Sequence, residues 1–326
     1  MKIKYLISIS IVGLICAIAP VRAQSGFPAK SVRIVTLTAA GGTLDLVARS
    51  IAQKLSEQMG QSMLVENKLG AGGNVGADVV AKSTPDGYTI GMNTVSTHGI
   101  NPTLYGKAMP FDAVKDFAPI TLVAESKNVV VVHPSIPVNN AQDLARYAKA
   151  NPNKLSFGSA GSGTSQHLAG EMFKMQTGTV MQHIPYKGAA QAIPDLVSGQ
   201  IQLMFVGVPE ALAHIRSGKL RALGVTSRER SPVIPDSVPF AEQGFPDFDV
   251  SAWFGMVSPA GTPRDIVARF HAEIVKAVSS KEVSARFANV GLDPLTSASP
   301  DQFAGFIRQE IAKWAPVVRA SGAKAD

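Results

Sequence analysis

Short apolar, β-branched runs alternate with amphipathic stretches along most of this chain, a pattern that predicts an α/β fold with parallel sheets covered by helices. Strands are expected over residues 32–37, 63–66, 89–92, 129–132, 154–157, 182–185, 203–206 and 222–226. Between them apolar positions return at helical spacing: Val47, Ile51, Leu55 and Met59 over residues 45–59, and Leu168, Met172 and Met175 over residues 164–176. These stripes read as faces packed on a core. From Pro263 onward the pattern is helix-rich, with Ile266, Phe270 and Ile274 on one helix and Phe303, Ile307, Ile311 and Trp314 on another. Ser299-Pro300-Asp301-Gln302 has the form of a capping box with proline in the first turn. Pro316 is expected to kink that last helix or mark its final segment. Gly/Pro-rich connectors at 231–246 and 258–263 are the places where the chain is expected to pass between lobes or wrap one.

Four predicted strands run into glycine-rich or polar loops, where open α/β sheets bind ligands. In the first, RIVTLTAAGGTLD at 33–45, a strand enters a Gly-Gly turn and a helix opens behind it with Thr43 and Asp45 in its first positions. Backbone N–H groups at the positive end of a helix dipole suit a small anion. The second loop, 70–74, leads into a helix expected at 75–82 with Asn74 as N-cap. The third, 93–98, is rich in hydroxyls and amides, and the fourth, 158–164, opens another helix in the second half of the chain. Each alone reads equally as an ordinary turn. Two helix-opening loops from different halves suggest a ligand held between two lobes.

Residues 1–23 form a separate object, with Lys2 and Lys4 before an apolar run and Val21-Arg22-Ala23 at its exit. This is the pattern of a secretory signal peptide cut after Ala23, with a signal anchor as the rival reading. The only cysteine, Cys16, lies inside it, so the remainder has no thiol for a disulfide or thiolate metal site. Without that leader the chain carries 28 basic and 24 acidic residues, a net charge of +4, which suits an anionic small ligand without requiring one. The lysines and arginines are scattered, with no basic run interleaved with aromatics, so nucleic acid is not an expected partner. Beyond the leader no apolar stretch reaches the roughly 20 residues of a membrane span. About 300 residues exceed a typical single core and lead one to expect two domains.

Neither a P-loop nor a correctly placed dinucleotide-binding glycine pattern occurs, so no nucleotide cofactor is implied. The histidines, at 98, 133, 167, 183, 214 and 271, show no metal-ligand spacing. His167, in the first turn after the fourth loop, either faces a ligand or serves packing. Ser159 or Ser162 with His167 would make a secreted hydrolase or transferase, but no nucleophile elbow stands there and no acid pairs with a histidine in the sequence. Asp45 either accepts a hydrogen bond from a ligand amine or favours the helix start.

The segments RIVTLTAAGGTLDLVAR, VENKLGAGGNVGADVVAKSTPDGYT, NPTLYGKAMPFDAVKDFAPITLVA, HIPYKGAA, GKLRALGVTSRERSP and WFGMVSPAGTP together resemble the extracytoplasmic solute receptors of tripartite tricarboxylate transporters, the Bug proteins. The likeness covers essentially the whole chain after the leader. It implies a periplasmic, monomeric, two-lobed binding protein of the type II Venus-flytrap fold, each lobe a mostly parallel sheet flanked by helices. It further implies lobe 1 at 24–124 plus 252–326 and lobe 2 at 125–251, with hinge crossings near 124 and 251. Such receptors close on a carboxylate, among them di- and tricarboxylates, acidic amino acids and aromatic acids, and deliver it to a membrane permease without a metal or cofactor.

Carried over to this sequence, the resemblance places ligand-binding positions at Thr38, Ala40, Gly41, Gly42, Thr43 and Asp45 in one lobe. Ser159, Gly161, Ser162, Gly163, Thr164 and His167 take that role in the other. Asn93, Thr94, Ser96 and Gly207 flank the cleft, and Phe205 or Tyr186 walls its apolar part. Backbone amides, hydroxyls and bridging water would do the holding, so no arginine clamp is needed. The chain departs from the family pattern in its first loop, with Leu37 and Ala40 for prolines and Thr38 for an aromatic, and at Val206-Gly207, where an Asp-Asn pair is common. Thr38 and Gly207 are accordingly expected to make room for a bulky or aromatic carboxylate. A ligand-presenting partner of a sensor kinase would use the same pocket.

Overall fold

A computed structural model describes residues 26–325; the expected signal segment and Cys16 lie outside the described residues. Ten strands and ten α-helices are laid out as β1 (Val32–Thr36), α1 (Thr43–Met59), β2 (Met63–Asn67), α2 (Asn74–Ala81), β3 (Thr89–Thr94), α3 (Asn101–Tyr105), β4 (Phe117–Val132), α4 (Ala141–Ala150), β5 (Ser156–Ser159), α5 (Ser165–Thr177), β6 (Gln182–Pro185), α6 (Ala189–Val197), β7 (Leu203–Gly207), α7 (Val208–Arg216), β8 (Arg221–Val225), β9 (Ser251–Pro259), α8 (Arg264–Val278), α9 (Lys281–Val290), β10 (Leu292–Pro294) and α10 (Pro300–Ser321). A π-helical turn, Ser96–Ile100, leads into α3. Among the described residues no helix is long and apolar enough to cross a membrane.

The hydrogen-bonded strand order is β2-β1-β3-β9-β4-β7-β5-β6, with β8 and β10 also paired to β4. The long strand β4 joins two lobes. Residues up to Lys127 pair antiparallel with β9, while Asn128–Val132 pair with β7. Parallel pairing is confined to the outer strands, β1 with β2 and β3, and β5 with β6 and β7. Each lobe thus contributes three parallel strands whose carboxyl ends share one edge, and each of those strands is followed by a helix.

Periodicity explains most of this. Val47, Ile51 and Leu55 are completely buried under β1, and Phe270, Ile274, Phe303, Ile307 and Trp314 are likewise interior. Strand 154–157 is displaced to β5, and 129–132 proves to be only the end of β4. The Glu125-Ser126-Lys127-Asn128 break interrupts the hydrophobic pattern yet remains extended, because those side chains sit between the lobes, with Ser126, Lys127 and Asn128 buried. The expected connector at 258–263 begins inside β9, whose Trp253–Val257 stretch is core. Ser299 caps α10, its side chain accepting from the Gln302 N–H while Gln302 Oε1 accepts from Ala298 N–H, and the helix runs through Pro316. Asn74 is not a cap. It is the first residue of α2, after Gly73, and its Oδ1 accepts from Asn101 Nδ2 at 2.8 Å.

Candidate functional site

Five α-helices and the π-helical turn Ser96–Ile100 begin at the carboxyl ends of the parallel strands, and their starts converge on one cleft of about 640 Å³. Residues of both lobes line it: Thr38, Gly42 and Thr43 before and in α1, Gly70–Gly73 before α2, Thr94–Ser96 after β3, then Gly161, Thr164 and Ser165 at α5, Gly188 and Ala189 at α6, and Gly207 at α7. Four of these helices, α1, α2, α6 and α7, have glycine N-caps (Gly42, Gly73, Gly188, Gly207) and no side-chain cap. Elsewhere α4, α9 and α10 carry side-chain caps from Asn140, Ser280 and Ser299, while α8 follows Pro263 without one; at the cleft itself α5 is capped by Thr164, which accepts from His167 N–H. A glycine cap presents first-turn N–H groups and the positive dipole end without occupying them. These helix starts suit an anion although, among the described residues, the exposed Lys187 is the only cation lining the cleft.

The first loop contributes less backbone than its sequence suggests. Gly41 N–H donates to Asp45 Oδ2 at 3.0 Å, and Gly42 N–H points back to the Ala39 carbonyl at 3.4 Å. Asp45 also accepts from Arg49 Nε at 2.8 Å and Asn67 Nδ2 at 2.9 Å, while Asn67 holds the Thr38 carbonyl. Burial works against its charge, but the bonds from Arg49, the Gly41 amide and Asn67 outweigh it and hold the carboxyl below its usual range. Asp45 is thus a brace under the loop; it, Gly41 and the exposed Ala40 lie off the cleft, leaving Thr38, Gly42 and Thr43 to face it.

The fourth loop divides similarly. Gly161 and Thr164 line the cleft, whereas Ser159, Ser162, Gly163 and His167 do not. Ser159 Oγ is buried beneath, bonded to His183 Nε2 at 2.7 Å and to the Gly161 backbone. His167 accepts from Gly163 N–H at 3.2 Å and stacks on His183 with ring centroids 3.8 Å apart. Burial, followed by the neighbouring His167 and Lys174, pulls His183 down to about 3. These imidazoles shape the loop from behind. The serine–histidine pair expected of a hydrolase, Ser159 with His167, is not made; the serine meets a different histidine, away from the cleft.

Thr94 and Ser96 line the cleft, but Asn93 is buried behind them against Gly255. Phe205 lies too deep in β7 to form a wall, packed among Phe157, Phe173 and Phe248. Apolar surface comes instead from Tyr186 and Phe254. The Tyr186 hydroxyl is tied to Asp195 at 2.7 Å, and burial together with that carboxylate pushes it up to about 12. Beside Gly207 the expected free space is filled: a Cβ there would lie 2.4 Å from Oε2 of Glu210. Sequence reasoning missed Glu210, Ser126, Asn128 and Gly188. The polar break inside β4 and the glycine before a new helix were the available signals.

The sequence matches the model of the tripartite tricarboxylate transporter family receptor over residues 47–323. It is 37% identical over 306 residues to protein BugT of Bordetella pertussis, covering 94% of this chain and 93% of that protein. Among solved structures, one described as a periplasmic transporter superposes with a TM-score of 0.87 at 39% identity over 92% of this chain and 100% of its own. R. palustris Rpa4515 with adipate superposes with a TM-score of 0.87 at 33% identity over 91% of this chain and 99% of its own.

Proposed function

The chain belongs to the tripartite tricarboxylate transporter receptor family and is a solute-binding receptor, and on that premise we propose that it clamps a carboxylate-bearing small molecule between its lobes and hands it to the family's membrane permease. The observation that carries this reading is the ring of glycine-capped helix starts around a cleft shared by both lobes. First-turn N–H groups at these starts, such as those of Ala189 and Ala190 in α6, suit a carboxylate, with Thr94 and Ser96 supplying hydroxyls, while Thr43 faces Glu210 and Thr164 caps α5. Ser159 and Ser162 act through the loop backbone. Lobe 1 then comprises 24–124 plus 252–326 and lobe 2 comprises 125–251, the crossings near 124 and 251 lying close to where β4 exchanges partners. Ligand contacts to both sides stabilise the closed state by their differential affinity for it. Cleavage after Ala23 would release the mature protein into the periplasm, where it acts as a monomer without metal or cofactor.

Native mass spectrometry of protein purified from its host, followed by calorimetry with the co-purified compound, tests this reading. A carboxylic acid bound one to one and recovered unchanged is the expected result. Conversion of the compound would favour an enzyme, and a ligand without a carboxyl group would overturn the reading.

A further inference from the structure

Glu210 is the only acidic side chain lining the cleft among the described residues. It stands in the first turn of α7, in the second lobe, and its carboxyl reaches across to face the hydroxyl and backbone N–H of Thr43, the first residue of α1 in the other lobe. The absence of a side chain at Gly207 makes the space for it. Yet Oε2 is buried and completes no hydrogen bond, and neither does Asn128 Oδ1, on a residue only 1% exposed that pairs with Gly207 across the β4–β7 ladder. Two unpaired acceptors therefore border the same end of a cavity whose other surfaces offer donors. Buried acceptors are costly to leave unmatched, and two ionised carboxylates in one desolvated site repel strongly.

We infer that Glu210 determines selectivity at the second-lobe end of the cleft, favouring carboxylic acids that bring a hydrogen-bond donor there, an ammonium, hydroxyl or amide, over those that bring a second carboxylate. The first carboxylate sits at the helix starts, so this rests on the carboxylate reading above. Burial raises the acid's pKa, outweighing the Thr43 hydroxyl and the Thr43 and Glu210 backbone N–H groups that face the carboxyl. A second carboxylate would bind there only by sharing a proton with it.

The test is calorimetry at pH 8 on the full mature chain and on Glu210→Gln, using two series that differ only in the terminal group: succinate, 4-hydroxybutyrate and 4-aminobutyrate, then adipate, 6-hydroxyhexanoate and 6-aminohexanoate. Glutamine keeps the size and one acceptor but removes the charge and adds a donor. The expected result is that the native protein binds the hydroxy or amino acid at least tenfold more tightly than the diacid of equal length, and that the variant loses or reverses that preference while circular dichroism shows it folded. Equal preference in both proteins, or a native preference for the diacid, overturns the role given to Glu210 while leaving the carboxylate reading intact. Binding of none of the six by either protein overturns this inference, while the carboxylate reading is decided separately by the co-purified compound.

Discussion

Replacing Gly163 with alanine would put a Cβ 2.3 Å from Oδ1 of Asn101 and 2.8 Å from Cδ2 of Leu104, at a point where the two lobes touch. Asn101 has no room to turn aside: it is fully buried, and its Nδ2 donates to Asn74 Oδ1 at 2.8 Å and toward the Gly72 carbonyl at 3.4 Å. Ordinary contact starts at about 3.5 Å, so the lobes must separate by roughly 1 Å to admit the methyl group. Overpacking of this kind costs about 1–3 kcal/mol, and with ligand binding drawing the lobes together as proposed above, affinity falls by about 5- to 150-fold. Gly163 also has φ +76°, where an alanine is strained by about 1–2 kcal/mol whether the lobes are open or closed. That strain lowers the melting temperature but leaves affinity alone. Gly178→Ala separates the two effects, since Gly178 has φ +64° and nothing within 4 Å of its added Cβ. Calorimetry with the co-purified ligand and thermal melts on both variants check the argument. Both variants melt earlier, by roughly 2–4 °C per kcal/mol, and only Gly163→Ala loses affinity. Equal affinity in the two variants would refute the idea that ligand binding requires the lobe contact seen here.

Asp45→Ala leaves the Gly41 amide and the Asn67 side chain without their buried acceptor, which costs about 1–3 kcal/mol per unpaired donor, measured by urea denaturation. Because the native Asp45 pKa is lowered, the stability it contributes is present above the unfolded value of 3.8 and is lost as pH falls through the lower folded value. His98 behaves in the same sense for a different reason. Burial alone brings it from 6.5 to about 3, so the unfolded chain takes up a proton that the folded one refuses. Its contribution to stability is complete above about 6.5 and declines toward pH 3 by up to ~1.4 kcal/mol per pH unit; thermal melts of His98→Phe should show a shallower slope, the share from His183, also near 3, remaining. Glu310 accepts from both indoles, Trp253 Nε1 at 2.8 Å and Trp314 Nε1 at 3.0 Å. Glu310→Ala orphans two buried N–H groups at about 1–3 kcal/mol each, and since these are the only tryptophans, intrinsic fluorescence should shift with the loss.

Alternating strands and helices, the helix opened by Thr43, the capped start of α10 and the four polar loops were all legible from the residues themselves. They depend on interactions spanning a few positions: side-chain period, glycine turns and capping. Which atoms of each loop are left for a ligand was not legible. Asp45 uses the Gly41 amide only because Asn67 and Arg49 hold it in place, and Ser159 turns from the cleft because His183, 24 residues on, receives it. The Ser126–Asn128 break looked like the gap before a strand at 129–132 but lies inside one, β4. Sequence alone determined the repertoire of helix starts and the positive dipole ends they present. Tertiary packing decided which donors remain unpaired, brought Glu210 into the space beside Gly207, and set Gly163 against Asn101, because hydrogen-bond competition and close contact depend on neighbours distant along the chain.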